Sequence, residues 1–418
     1  MSDAWIVGTA STAFQRHPER SFRDLSEQVV RGALADAQVA GDDVQGVWFG
    51  NCAMHTWGQS NIRGQVALGA MFRAGELSAD AAVVNIEAAC ATGSATLAQA
   101  VAAARSGADL TLAVGVEKVF HPDDMAKTFG VFVSGADVAR RDEWLAFVAA
   151  EAARHELAFT PHPHRVVFVD IHALQATWHM KTYGTTLEQI AAIAAKDHAH
   201  GALNPKAQYG TPTEAAAVLA DKPVGVPGGF TRSMCSPVSD GAAAVIVASD
   251  QGLQRLPPEV RARAVRIRAC TLTGGRWRGL DEPSIVHRGV HRGLAAAGIT
   301  AADIDLAEVH DAASFCELEA VEALGLCGQG EGGAFSASGA TRLGGEVPIN
   351  VSGGLVSKGH PLAATGLGMV DELVLQLRGE AGARQVPDAQ VAVAQNAGGL
   401  VALDEAVCGL TVLERRSS

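Results

Sequence analysis

The chain has 418 residues, of which 48% are hydrophobic and 19% are charged, and its formal net charge is -12. This length exceeds one ordinary hydrophobic core and predicts two or three domains, or two tightly fused halves. The acidic charge and the low aromatic content of 5% argue against nucleic acid as a partner.

Seven cysteines lie at positions 52, 90, 235, 270, 316, 327 and 408, and none forms a C-x-x-C pair. This pattern indicates neither a disulfide framework nor a zinc site, so we expect no bound metal. The N-terminal segment lacks the cationic lead and apolar core of a signal peptide, and no apolar run is long enough to span a bilayer. We therefore expect a cytoplasmic protein without a membrane partner.

Strand and helix patterns alternate in the first part of the chain. Residues 6–9 read as a strand, and apolar residues at helical spacing from Leu25 to Ala37 predict a helix. Residues 44–49 and 82–86 read as further strands, and the second of these enters a turn at Cys90 and an alanine-rich helix. Alternation of this kind predicts an α/β fold.

The pattern changes between residues 120 and 232, which are richer in histidine, proline and lysine. We interpret residues 120–232 as an inserted loop domain, with helices near 142–155 and 187–198. Residues 236–248 return to a buried strand, and residues 253–259, with two adjacent prolines, are the best candidate for a linker.

The end of the chain repeats the beginning. Residues 292–309 resemble residues 32–49, so that Leu34 aligns with Leu294 and Asp43 with Asp303. A predicted strand at 347–351 then leads through a glycine-rich turn into a helix at 361–378. We therefore expect an N-terminal half at 1–119 plus 233–252 and a C-terminal half at 260–418, related by a pseudo-twofold axis. The alternative is that all helix–turn–strand units look alike.

Cys90 follows a predicted buried strand and precedes a predicted helix. A thiol in that position faces unpaired N–H groups and the positive end of the helix dipole. This setting predicts a pKa below the free value of about 8.5 and a nucleophilic thiolate. The alternative is a small buried hydrophobic residue, which is the commonest role of a free cysteine.

Three further segments carry polar residues towards the same region. His360 precedes Pro361, which suits the first position of a helix, and the repeat sets this helix opposite Cys90. There His360 can accept the thiol proton, although a capping histidine is the alternative. His310 ends the strand at 306–309 and can donate to a thioester oxygen. Asn396 and Gly398 follow the strand at 391–394 and are candidates for an oxyanion hole.

Several motifs resemble those of the thiolase superfamily. Residues 89–94 (Ala-Cys-Ala-Thr-Gly-Ser) resemble its nucleophile loop, and residues 235–244 resemble the strand that closes its first half. Residues 350–366 are similar to its Gly-His-Pro block. The sterol-carrier-protein type is most similar, on the strength of residues 183–186, 196–205 and 322–327. The resemblance extends from about residue 6 to residue 403.

The resemblance implies two thiolase halves in a five-layered αβαβα arrangement and a homodimer. It also implies acyl-CoA chemistry with coenzyme A as co-substrate and no permanently bound cofactor. In such an enzyme Cys90 becomes acylated, His360 activates it, and His310 helps to bind the thioester oxygen.

One departure from the family concerns its second, acid/base cysteine. Ordinary thiolases carry it in a C-terminal Cys-x-Gly, where residues 396–398 read Asn-Ala-Gly. The sterol-carrier type carries it in His-Asp-Cys-Phe, where residues 310–313 read His-Asp-Ala-Ala. Cys316 is expected inside the following helix. The departure favours cleavage of a 3-oxoacyl-CoA over condensation of acetyl-CoA, and the small Ala312 and Ala313 leave room for a branched or aromatic substrate.

Relatives without the second cysteine leave other functions open. They include benzoylsuccinyl-CoA-type thiolases, acyltransferases of phenolic rings and steroid side-chain aldolases, and several act with a small zinc-ribbon and OB-fold partner subunit. A retro-aldolase, another C-acyltransferase or a non-catalytic acyl-CoA-binding scaffold is therefore an alternative. Retention of both Cys90 and His360 favours acyl transfer.

Overall fold

A computed structural model describes residues 3–162, 165–226 and 228–416. Within these residues the strands are β1 (Ala4–Ser11), β2 (Gly46–Gly50), β3 (Ala82–Ile86), β4 (Leu110–Glu117), β5 (Gly241–Ser249), β6 (Val265–Gly274), β7 (Leu306–Glu308), β8 (Val391–Gly398) and β9 (Val407–Arg415).

Helices occupy much of the remaining chain. They are α1 (Phe22–Ala37), α2 (Arg63–Arg73), α3 (Thr92–Arg105), α4 (Met125–Val133), α5 (Arg141–Arg154), α6 (Val167–Tyr183), α7 (Leu187–Gly201), α8 (Ala215–Ala220), α9 (Asp250–Arg255), α10 (Pro258–Ala262), α11 (Ile285–Ala297), α12 (Ser314–Ala323), α13 (Gly332–Ala337) and α14 (Leu362–Arg378). None of the helices in the described part of the chain combines the length and apolar character needed to cross a lipid bilayer.

The strands form two half-sheets that meet edge to edge, in the order β3-β2-β4-β5-β1-β6-β9-β8-β7. The junction is short, because Trp5 and Ile6 of β1 pair with Arg266 and Val265 at the start of β6. Beyond this point the half-sheets are free to diverge and enclose helices between them.

The core is divided into layers that explain this arrangement. Leu97 of α3 and Leu373 of α14 belong to one buried cluster, which also includes residues from both half-sheets. Leu25 of α1 packs on the outer face of the first half-sheet, and Val290 of α11 packs on the outer face of the second. Each fully buried leucine contributes about 1.5–3 kcal/mol to folding. The predicted five-layered αβαβα fold is therefore confirmed.

The two halves repeat the same local structure. Both α1 and α11 begin at a serine cap, Ser21 and Ser284, whose side chain accepts a backbone N–H of the first turn. Both end in a left-handed residue, Gln38 at φ 53° and Gly298 at φ 65°. A short 3-10 turn and a strand follow in each case. The repeated sequence thus specifies a repeated helix stop and strand start.

Two local predictions differ from the structure. Residues 347–351 make an isolated parallel bridge between Ile349 and Ala307 instead of a strand. Pro348 has no N–H to donate to a ladder, and Asn350 has a left-handed φ of 55°, so extended pairing stops there. The expected linker at 253–259 lies across α9 and α10, with Pro258 at the start of α10.

Helices α4 to α8 all lie between β4 and β5, and two of their contacts position the site. Val131 of α4 shares a buried cluster with Cys90. Trp144 of α5 and Leu174 of α6 share another with Leu403, from the loop between β8 and β9. These helices therefore cover the region where β3, β8 and α14 meet.

Candidate active site

Cys90 lies in a tight turn between β3 and α3. The turn spans Ala89–Ala91 and is 3-10 helical, with Ala89 at a φ of 47°. The hydroxyl of Thr92 accepts the Ala88 N–H at 2.8 Å and donates to the Ala89 carbonyl at 2.7 Å. These bonds hold the strained backbone, and Cys90 is only 8% exposed.

His360 lies at the start of α14, in a fixed tautomer. Its backbone N–H donates to Ser239 Oγ at 3.1 Å, and its Nδ1 is 2.7 Å from Thr365 Oγ1. With the Thr365 hydroxyl donating to the Pro361 carbonyl at 3.1 Å, Nδ1 of His360 carries the hydrogen and donates to Thr365. Nε2 of His360 is buried and has no hydrogen-bond partner among the described residues. It is therefore a free proton acceptor. Pro361 was predicted at the first position of the helix, but it is the N-cap residue, and α14 begins one position later at Leu362.

His310 has the opposite tautomer. Its Nδ1 is 2.9 Å from Nδ2 of Asn396, and an amide nitrogen can only donate. In the same arrangement the Ser94 hydroxyl donates to Oδ1 of Asn396 at 3.2 Å, with Nδ2 turned towards His310. Nδ1 of His310 is thus the acceptor, and Nε2 carries a hydrogen that it can donate. Asn396, predicted to lie in the oxyanion hole, contacts His310 directly and orients it.

The three predicted residues converge. One ring nitrogen of His310, one of His360 and the sulfur of Cys90 lie within 4.8 Å of one another. The two rings are 5.1 Å apart between centroids and nearly perpendicular, at 78°. Since both Nδ1 atoms are engaged, the two Nε2 atoms are the ones available at the thiol. A thiol sulfur and two imidazole nitrogens are also atoms of the kinds that bind metal ions.

Gly398 lies directly against the nucleophile loop. A Cβ at this position would be 2.5 Å from the backbone nitrogens of Cys90 and Ala91. The end of β8 therefore packs on the Cys90 backbone, and only glycine fits. Gly398, a predicted site residue, therefore lies in the site, where it packs closely against the backbone of Cys90.

The expected low pKa of Cys90 is wrong. Burial, followed by the nearby Glu117 carboxylate, raises the pKa of the Cys90 thiol to about 12. Burial also lowers the pKa of His360 to about 3. The pair is therefore a neutral thiol facing a neutral imidazole, because removal of water penalises both charged forms more than the helix start favours a thiolate.

Glu117, at the end of β4, is a site residue that the sequence analysis missed. Its carboxylate accepts N–H bonds from Asn51 Nδ2, Cys52 N and Ala53 N at 2.8–3.0 Å, and from Ala363 N at 3.3 Å. Burial raises its pKa to about 7. An acid ending the otherwise uncharged strand at 110–117 was the available signal.

Asp311 and Cys316 follow His310 along the chain. The Asp311 carboxylate accepts the backbone N–H groups of Leu355 and Val356 at 2.6 and 3.2 Å, which fixes the chain beside His310. Cys316 is buried in the first turn of α12, as predicted, and burial raises its pKa well above its usual value. Ala312, where the sterol-carrier type has cysteine, is half-buried.

A buried thiol facing two imidazoles, between two α/β halves, is the arrangement of an enzyme that transfers acyl groups through cysteine. Comparisons with known proteins give the family. Residues 4–212 match the family "Thiolase, N-terminal domain", and residues 283–408 match "Thiolase C-terminal domain-like". The chain belongs to the thiolase family, and it is a thiolase-type acyltransferase.

Individual relatives agree with this assignment. The chain is 34% identical to an acetyl-CoA acetyltransferase of Methanothermobacter thermautotrophicus, over 96% of this chain and 97% of that protein. It is 33% identical to human sterol carrier protein 2, over 94% of this chain and 69% of that protein.

Two solved structures share the fold. The Ltp2-ChsH2(DUF35) aldolase has a TM-score of 0.76 and 21% identity, over 100% of this chain and 99% of that chain. Human mitochondrial 3-ketoacyl-CoA thiolase has a TM-score of 0.69 and 19% identity, over the same shares of each chain.

Proposed function

We propose that the protein cleaves a 3-oxoacyl-CoA with coenzyme A through an acyl-Cys90 intermediate. The observation that carries this proposal is the pairing of a free acceptor on His360 with a free donor on His310, both beside one thiol. An acyl transfer needs one group of each kind: a base for the nucleophile and a donor for the oxyanion.

The neutral resting pair defines the order of events. Nε2 of His360 takes the Cys90 proton as the sulfur attacks the 3-oxo carbon, so the thiolate forms only when substrate is present. Nε2–H of His310 donates to the oxyanion that develops, a contact worth about 3–4 kcal/mol in comparable sites. The bond between C2 and C3 then breaks, and its electron pair passes to C2 as an enolate thioester. Coenzyme A finally removes the acyl group from sulfur.

An apolar groove supports a branched or aromatic acyl group. A cavity of about 430 Å³ lies between α4 and α5, lined by residues that include Phe129, Phe132 and Val133. Phe132 also packs against the cluster that contains Cys90. The groove thus borders the cluster that contains Cys90, and its volume is in the range of small-molecule sites.

We expect the enzyme to cleave 3-oxoacyl-CoA substrates and to condense acetyl-CoA at least about 100-fold more slowly, a typical contribution of one acid/base group. Condensation requires removal of an α-proton, and Ala312 and Asn396 stand where relatives carry the cysteine that removes it. Initial rates in both directions, with linear, branched and aryl 3-oxoacyl-CoA compounds, measure the difference.

Ala312→Cys tests the reason for that difference. The variant restores a thiol beside His310, so condensation should rise while cleavage changes little. Efficient condensation by the unmodified enzyme would contradict our account of the missing cysteine, and failure to cleave any 3-oxoacyl-CoA would contradict the proposed function.

We propose that two chains form a homodimer through β3. This strand is the edge of the first half-sheet, and Val84 at its centre is 45% exposed. An unpaired strand edge readily pairs with a second copy. Light scattering should therefore give the mass of two chains, and Val84→Lys, which places a charge on the edge, should shift the mass towards one chain. An unmodified enzyme with the mass of one chain would contradict this proposal.

We also propose a small zinc-ribbon and OB-fold partner subunit. The aldolase of similar fold is described with two components, Ltp2 and ChsH2(DUF35), and this likeness is the support for the proposal. Purification of the tagged enzyme from its native host, followed by mass spectrometry, tests whether such a subunit accompanies it.

A further inference from the structure

We propose that Glu405 is the acid/base group that donates a proton to C2 of the departing acyl-CoA, in place of the cysteine of other thiolases. This inference rests on the proposed function. The two histidines are occupied at that moment, because His360 holds the Cys90 proton and His310 donates to the substrate oxygen. A third group is therefore needed at C2.

Glu405 lies in the loop that joins β8 to β9, next to the nucleophile. The N–H of Ala406 donates to the Gly398 carbonyl at 2.9 Å, and Gly398 is the residue whose backbone touches Cys90. On the same loop, a Cβ at Gly399 would be 3.5 Å from the Cβ of Ala89. The start of the loop that carries Glu405 is thus packed against the Cys90 turn, and Ala406 ties the end of the loop to it.

The neighbouring Asp404 anchors this loop. Its carboxylate accepts from Arg278 Nε at 3.0 Å, Arg288 Nη2 at 2.8 Å and Ile285 N at 2.7 Å. Asp404 is completely buried, and both of its oxygens are occupied. The backbone of Glu405 is therefore held in place by the residue before it and the residue after it.

The side chain of Glu405 has an unpaired carboxyl oxygen, whereas both carboxyl oxygens of Asp404 are hydrogen-bonded. Glu405 is 7% exposed, and its Oε2 has no hydrogen-bond partner within the described parts of the chain. Leaving a buried polar atom unpaired costs about 1–3 kcal/mol, so a stabilising role does not explain it. An acid whose oxygen is unpaired in the free enzyme is instead available to a substrate.

The protonation state of Glu405 suits a general acid. Burial, with a further contribution from Glu319 and Asp404, raises its pKa to about 8, so the carboxyl keeps its proton at neutral pH. In condensation the same group must remove the α-proton of acetyl-CoA, and because it rests protonated it is a poor base, so condensation stays slow. In its ionised form Glu405 also raises the pKa values of Cys90 and Cys316. Cys316 is a poorer candidate, because its own pKa is raised well above the usual value.

The proton balance closes over one turnover. When the bond between C2 and C3 breaks, the electron pair on C2 takes the Glu405 proton, which releases a neutral acyl-CoA. The Glu405 carboxylate then takes the thiol proton of the incoming coenzyme A, whose sulfur attacks the acyl-Cys90 carbonyl. Cys90 leaves as a thiolate and recovers its proton from His360. No oxidant, reductant or metal is required.

Glu405→Gln separates this role from a structural one, because glutamine keeps the shape and removes the acid. We expect cleavage of a 3-oxoacyl-CoA to slow by about 10²–10⁴-fold. Acylation of Cys90 by S-phenyl thioacetate should change less than about threefold. That probe breaks no carbon–carbon bond, and its thiophenolate leaves without a proton. Intact-protein mass spectrometry in rapid-quench experiments measures both rates.

Glu259→Gln is the control, since it makes the same change at an exposed carboxyl of α10, and both of its rates should stay within about threefold of the unmodified enzyme. Glu405→Asp, which keeps the acid one methylene away, should recover part of the cleavage rate. Unchanged cleavage in Glu405→Gln, or equal slowing with both substrates, would overturn the inference. If the unmodified enzyme is acylated by S-phenyl thioacetate but cleaves no 3-oxoacyl-CoA, it is the proposed function that fails.

Discussion

Cys90→Ala is expected to lower cleavage of a 3-oxoacyl-CoA by about 10⁴-fold or more, the scale seen when a covalent nucleophile is removed. The variant keeps the turn intact, because the bonds of Thr92 to residues 88 and 89 do not involve the Cys90 side chain. What is lost is the sulfur that holds the acyl group in the proposed mechanism. Steady-state kinetics measures the loss, and intact-protein mass spectrometry should find an acyl adduct on the unmodified enzyme and none on the variant.

Cys327→Ala is the matched control for that experiment. Cys327 is a free cysteine in the loop after α12, and its removal should leave both rate and adduct unchanged. Substantial cleavage by Cys90→Ala would contradict the covalent mechanism and favour the retro-aldolase alternative, in which no acyl-cysteine forms.

His360→Ala should slow acylation of Cys90 by about 10²–10⁴-fold, because no other described group offers a free acceptor so close to the thiol. The pKa of His360 is lowered to about 3, so the ring is neutral and competent at every pH above that value. The acylation rate should therefore show no loss attributable to this residue as the pH falls from 8 to 5. Rapid-quench measurements across this range test both statements.

Alkylation by iodoacetamide gives a second readout for His360. Labelling of Cys90 should be slower in His360→Ala at neutral pH, since the imidazole no longer takes the proton as sulfur attacks. His291→Ala removes an exposed histidine of α11 and should have no effect. An unchanged labelling rate in His360→Ala would mean that the start of α3 alone activates the thiol.

The fold was largely predictable because its determinants are local. The strand at Ala82–Ile86 and the helix at Thr92–Arg105 lie where the pattern predicts them, since apolar periodicity and turn residues are read over a few positions. The approach of His360 to Cys90 was also predictable, because the repeat relates the two helix starts. The strand predicted at 347–351 is absent, because Pro348 has no N–H for a ladder and Asn350 has a left-handed φ. Both effects act against the apolar pattern of the segment.

The chemistry of the site was less accessible, since it depends on contacts between distant segments. The tautomer of His310 depends on the contact with Asn396, 86 positions further along the chain, whose Oδ1 accepts from Ser94. The raised pKa of Cys90 depends on burial and on Glu117, neither of which is visible in residues 89–94. Sequence alone identifies which residues meet, but not which of their protons is present.

The protonated state of Cys90 has a consequence for the durability of the enzyme. Peroxides and other oxidants attack thiolates far faster than thiols, and the products beyond sulfenic acid are mostly irreversible. A nucleophile kept as a buried thiol is therefore shielded from oxidative damage while the enzyme waits for substrate. In the proposed mechanism the sulfur loses its proton during turnover, when it is already forming a bond to a carbonyl carbon. The reactive thiolate is then not free to be oxidised.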